Sequence, residues 1–152
     1  MLYGIDVSRY QELIDWQKVK KSGVRFAIIK ASEGEGYIDP MFEENLRGAV
    51  EAGILPGSYH FFLPRYDPLA QARHYVRVLQ EYAVDAPTLP PCIDLETPGL
   101  GKSSLHHLHP CRQYICRRSN RSTSDWSGLL GRFQPRKRDL LFSRYCPANR
   151  RL

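Results

Sequence analysis

Apolar runs of strand length alternate with helix-patterned segments over the first 96 residues, and few folds accept that order. The runs are Leu2-Tyr3-Gly4-Ile5-Asp6-Val7-Ser8, Val24 to Lys30, Ile54 to Phe62, and Pro90-Pro91-Cys92-Ile93-Asp94-Leu95-Glu96. Asp15 precedes Trp16 and Val19, the two apolar residues of a short helix that Gly23 closes. Asp39-Pro40 opens a second helix with Phe42, Leu46, Ala49 and Val50 as its buried stripe, ending at Gly53. Asp67-Pro68 repeats the device before Leu69, Ala72, Tyr75, Val76 and Leu79. Aspartate caps because its carboxylate accepts a first-turn N–H, and proline at the first helical position gives up no hydrogen bond. Val24 to Lys30 is apolar nearly throughout, as a strand buried on both faces is. Gly34 and Gly36 mark the loop after it. The order β-α-β-α-β-α-β predicts an α/β fold with a parallel sheet and right-handed crossovers.

In such sheets function gathers at the carboxyl ends of the strands. Asp6, the Tyr59-His60-Phe61 segment, Asp94 and Glu96 all fall at or near those ends. Asp94 and Glu96 are spaced i, i+2, so on a strand they point the same way, with backbones roughly 7 Å apart. A carboxylate pair closing an apolar strand is costly to desolvate unless it serves chemistry or binds a cation. Aromatic faces stack on sugar rings, and carboxylates handle protons and developing positive charge, so the combination reads as a sugar site. Tyr59 and Phe61 share a strand face and are candidates for sugar contact; His60 points the other way. Plainer roles stand beside these. The acid pair can be a solvated strand end, Asp6 a loop cap, Tyr59 and Phe61 core aromatics, and His60 and His74 packing or surface residues.

Four segments together resemble glycoside hydrolase family 25, the N-acetylmuramidase lysozymes of bacteria and phages. They are Tyr3-Gly4-Ile5-Asp6-Val7-Ser8, Ile29-Lys30-Ala31-Ser32-Glu33-Gly34, Gly57-Ser58-Tyr59-His60-Phe61 and Ile93-Asp94-Leu95-Glu96, in the family's order. The resemblance covers residues 2 to about 104, roughly the first half of that family's domain. It implies a partial TIM-like (β/α) barrel of about four parallel strands with intervening helices. It also implies cleavage of the β-1,4 bond between N-acetylmuramic acid and N-acetylglucosamine in peptidoglycan, with retained configuration and no cofactor or metal. Glu96 matches the general acid/base, and Asp94 the partner carboxylate that steadies an oxocarbenium- or oxazolinium-like centre. Asp6 matches a third acid of the site. Glu33 matches the family's loop acid, structural or substrate-contacting.

The formal net charge of +6 is an average of two unlike parts. Residues 1–105 hold 11 Lys+Arg and 14 Asp+Glu, a net of −3, and residues 106–152 hold 11 and 2, a net of +9. Cys111, Cys116, Cys146, His106, His107 and His109 also lie after residue 105, where no period of 2 or 3.6 is sustained. An abrupt change to Arg, Ser, Cys and His is what translation in a wrong reading frame produces. The chain therefore divides into an incomplete barrel, 1–105, and a basic tail, 106–152, expected to be unrelated to the family and poorly structured. A barrel without its later strands leaves an open sheet edge, so weak solubility and little lytic activity are expected. Asp125 and Asp139, the only acids of the tail, sit in no strand that could supply the family's last site acid. The Cys/His spacing fits no closed four-ligand zinc pattern. The basic run could hold anionic polymers or the cell wall; nucleic acid is not the expected partner. No apolar run is long enough to span a bilayer. No signal peptide precedes the first strand, so the expectation is synthesis in the cytoplasm and action at the wall.

Overall fold

The computed structural model describes residues 2–82 and 89–95. Four parallel strands form the sheet: β1 (Tyr3–Val7), β2 (Val24–Glu33), β4 (Leu55–Phe61) and β5 (Cys92–Asp94), in spatial order β1-β2-β4-β5. A two-residue strand, β3 (Tyr37–Ile38), pairs antiparallel with the end of β2. Helices α1 (Trp16–Lys21), α2 (Phe42–Glu51) and α3 (Pro68–Tyr82) fill the connections, and one turn of 3-10 helix (Arg9–Gln11) follows β1. This is the expected α/β class with a parallel sheet. The 106–152 tail and Glu96 lie outside the described residues.

The helix starts follow local chemistry, with one correction. The Asp15 carboxylate accepts the Lys18 N–H at 3.0 Å, and the Asp67 carboxylate accepts that of Ala70 at 2.7 Å. Asp39 does not cap α2. The helix begins at Phe42, and Met41 at its N-cap position makes no side-chain cap. Asp39 is buried instead. One carboxylate oxygen accepts the Met41 N–H at 2.9 Å, and the other accepts the Arg9 N–H at 3.1 Å, tying the turn after β1 to the approach of α2. Val50, expected in the buried stripe, is exposed, and Asn45 is buried with Phe42, Leu46 and Ala49.

The helices pack on one sheet face. Val7, Ala27, Ile29 and Ala31 of the strands meet Trp16, Phe42, Leu46, Ala49, Ala72, Tyr75, Val76 and Val78 in a single core, which Ile5 and Ile93 flank. His60 lies on this side, fully buried, its ring stacked on Tyr75 of α3 with centroids 5.4 Å apart. Gln71 joins it as a clamp. Its side-chain oxygen accepts the Leu63 N–H at 2.9 Å, and its amide donates to the Leu63 and Tyr66 carbonyls at 3.0 and 3.3 Å. The loop after β4 is thereby fastened to α3.

The opposite face is identified by close approach. A Cβ on Gly4 would lie 2.1 Å from the Phe26 ring, and one on Gly57 would lie 2.7 Å from Ile28 Cδ1. Alternation from these positions puts Asp6, Phe26, Ile28, Lys30, Tyr59 and Phe61 together on the face away from the helix core.

Candidate active site

Register aligns the site row by row. Asp6 pairs with Ile28, which pairs with Gly57; Lys30 pairs with Tyr59, which pairs with Cys92. Glu33 pairs with Phe61, and Phe61 with Asp94. Laterally paired residues of a parallel sheet point to the same side, so Glu33, Phe61 and Asp94 form one row at the carboxyl ends of three strands. Tyr59 stands one same-face row deeper, and Asp6 lies on the Ile28 row below that.

Glu33 reaches this face through an irregularity. Residues three apart on a regular strand point to opposite sides. Between Lys30 and Ser32, however, β2 carries one residue more than β4, Ala31 being the extra one. The bulge resets the alternation, so Lys30 and Glu33 face the same way. Their ion pair closes at 2.7 Å. Glu33 is thus the last residue of β2, not a loop residue as its neighbouring glycines suggest. The turn comes one residue later, where Gly34 takes φ +55°, a left-handed conformation that suits glycine.

Lys30 is the site residue that sequence reasoning missed. It is buried, yet its ammonium lies 4.7 Å from the Phe61 ring centroid and 5.8 Å from that of Tyr37. Cations over aromatic faces are held by the ring quadrupole. In the sequence it is a lysine that ends a nearly apolar run, inside the 29–34 segment but with no charge partner in view.

The other side chains divide cleanly. Tyr59 and Phe61 are half-buried, and Asp94 is half-buried at the end of β5. The Asp6 carboxylate is exposed. Cys92 shares this face beside Asp94. Burial, with the Asp94 charge adding to it, pushes its thiol up to about 11, so it stays protonated near neutrality and is no nucleophile. His60, on the far side of β4, touches none of this. Its Nδ1 lies 2.8 Å from the Ser32 hydroxyl and its Nε2 lies 3.4 Å from the Gln71 oxygen. That oxygen can only accept, so Nε2 donates and Nδ1 accepts from Ser32. Burial pushes its pKa down to about 4, and the neutral ring packs rather than transfers protons. Among the described residues, no cluster of His, Cys, Asp and Glu is grouped to hold a metal ion.

Acids and aromatics at the carboxyl ends of a parallel sheet can bind sugar rings and move protons between them. The model of glycosyl hydrolases family 25 matches residues 5–127 of this chain. The chain belongs to that family. YegX of Escherichia coli (strain K12) is 43% identical over 103 residues, covering 64% of this chain and 37% of YegX. Lysozyme M1 of Streptomyces globisporus is also 43% identical, over 94 residues, covering 61% of this chain and 32% of that lysozyme. A family 25 glycosyl hydrolase from Bacillus anthracis superposes with a TM-score of 0.59 at 32% identity, covering 78% of this chain and 52% of the other. The chain thus spans well under half the length of these two curated relatives. The family match itself runs past residue 105, where the composition changes.

Proposed function

We propose that this family 25 chain carries the substrate-binding and acid/base groups of a peptidoglycan-cleaving lysozyme, acting at the cell wall on the β-1,4 bond after N-acetylmuramic acid. The supporting observation is the single row of Glu33, Phe61 and Asp94, with Tyr59 and Asp6 on the same face. In this reading Phe61 and Tyr59 take the sugar rings. Asp94 steadies the positive charge that develops as the glycosidic bond breaks, with help from the substrate's own acetamido group. Asp6 orients the sugar from β1, at the other edge of the described sheet. Glu96, two residues beyond Asp94, protonates the leaving oxygen and then deprotonates the incoming water. That role requires a carboxyl that keeps its proton near neutrality, which a neighbouring carboxylate favours.

The test is release of new reducing ends from purified peptidoglycan by the full chain and by Glu96→Gln. Loss of a positioned general acid lowers such rates about 10²–10⁴-fold. Equal release by both proteins overturns the reading.

A second reading rests on the charge split: a basic tail with a net of +9 follows an acidic segment. Here the chain is a frame-disrupted remnant, with 106–152 a separate tail that holds it on anionic wall polymers without turnover. Sedimentation with walls, no reducing ends, and release on removing residues 106–152 are its expected signature. Turnover that collapses in Glu96→Gln excludes it.

A further inference from the structure

Beyond the acid row, the site face continues outward as alternating cations and rings. The Lys30 ammonium lies against Phe61 and Tyr37. The Arg9 guanidinium also lies 5.8 Å from the Tyr37 ring, and 4.8 Å from the ring of Tyr10. Arg9 and Tyr10 sit on the 3-10 turn that follows β1, and Tyr37 faces Glu33 across the β2–β3 pair. All are therefore at the carboxyl end of the sheet, and Tyr10 and Tyr37 are exposed.

The two cations differ in one respect. Lys30 is neutralised by Glu33, whereas the Arg9 guanidinium makes no ion pair with a carboxylate among the described residues and only feels the charge of Asp39, whose carboxylate accepts the Arg9 backbone N–H. One Arg9 N–H reaches the Tyr10 hydroxyl at 3.2 Å. Four of the five guanidinium donors remain, in a planar fork that matches a carboxylate. Stacked against rings, the fork is partly pre-ordered, so less freedom is lost when it binds.

We propose that Arg9, between Tyr10 and Tyr37, anchors a rim subsite for a carboxylate borne by the glycan, with the tyrosine rings contacting the adjacent sugar or peptide. The proposal rests on the peptidoglycan reading and gives the bound strand a direction, its anionic group at the β1 side. Two sources share this chemistry: the lactyl carboxylate of unsubstituted N-acetylmuramic acid, and the carboxylates of a peptide stem where the lactyl group is amidated.

Titration of the full chain with three probes tests it. These are chitotetraose, which has no carboxylate, the disaccharide N-acetylglucosaminyl-N-acetylmuramic acid, and the same disaccharide carrying a tetrapeptide. Arg9→Gln is expected to weaken the carboxylate-bearing probes about fivefold, to abolish the salt dependence of their binding, and to leave chitotetraose unchanged. Arg9→Lys, which keeps the charge but not the fork, should restore part of the loss. Weakening of only one anionic probe names the carboxylate source. Weakening of all three probes alike, or of none, overturns the proposal while the peptidoglycan reading stands. Binding of none of them by the unaltered chain overturns both.

Discussion

Lys30 shows how a charge is kept on a largely dry face. Its side chain is 10% exposed and that of Glu33 is 32% exposed, so the two partners do not share the desolvation equally. Removing the carboxylate strands the more deeply buried charge. Glu33→Gln should therefore cost about 2 kcal/mol, and Lys30→Met, which leaves the wetter partner alone and adds apolar packing against Phe61, clearly less. Urea unfolding midpoints of the two variants check the order; the reverse order would place the burden on Glu33. Lys30 was not legible, and Glu33, matched to a site acid by the family resemblance, was not legible as its partner. The sequence shows a lysine ending an apolar run and a glutamate beside glycines, and only the extra residue at Ala31 turns them to one side. Asp94, Tyr59 and Phe61 were legible, because strict alternation holds along β4 and β5. Arg9, Tyr10 and Tyr37 were not, since a cation between two rings from separate connections leaves no spacing signal.

Helix α1 is held to α2 by a missing side chain. The Trp16 ring lies over Gly48, and a Cβ there would meet Trp16 Cδ1 at 2.3 Å. Alanine favours an exposed helix by about 1 kcal/mol over glycine. Here the collision with a buried indole should outweigh that gain, with a net loss of about 1–3 kcal/mol from overpacking. Gly48→Ala should lower the thermal midpoint and shift Trp16 fluorescence toward the solvated wavelength; a raised midpoint would show that the ring yields freely. The helices themselves were readable from their 3.6-residue stripes, and α1 and α3 also from their Asp starts. What escaped was local bonding. Asp39 spends its carboxylate on the Met41 and Arg9 N–H groups, so α2 starts later than Asp39-Pro40 implies. Gln71 and His74 face inward because backbone groups of the β4 loop and of Tyr37 meet them there. Polar residues in a helix stripe read as its wet edge, and β3, two residues long, is too short to show a period.

His60 links the stability of the fold to pH. The unfolded chain takes up its proton near the ordinary value of 6.5, whereas the native ring, buried between Ser32, Gln71 and Tyr75, takes it up only near 4. The unfolded state therefore binds more protons in that interval, and stability falls as pH falls through it. Between about pH 7.5 and about pH 5.5 the loss should be on the order of 1 kcal/mol. Urea midpoints across that range check it, and His60→Gln should be less stable at the upper end but flatter; an equal slope would assign the effect elsewhere. The strand order has a further consequence, in the time domain. Each parallel strand of the described sheet after β1 pairs with the parallel strand that precedes it in the chain. Nothing in this sheet has to wait for a distant segment, so it can be laid down in the direction of synthesis, each β-α unit docking on the last as the ribosome delivers it. Asp6, Lys30, Glu33 and Phe61 can then be in place before Asp94 has left the ribosome. Protease resistance of ribosome-stalled chains of increasing length would reveal that order.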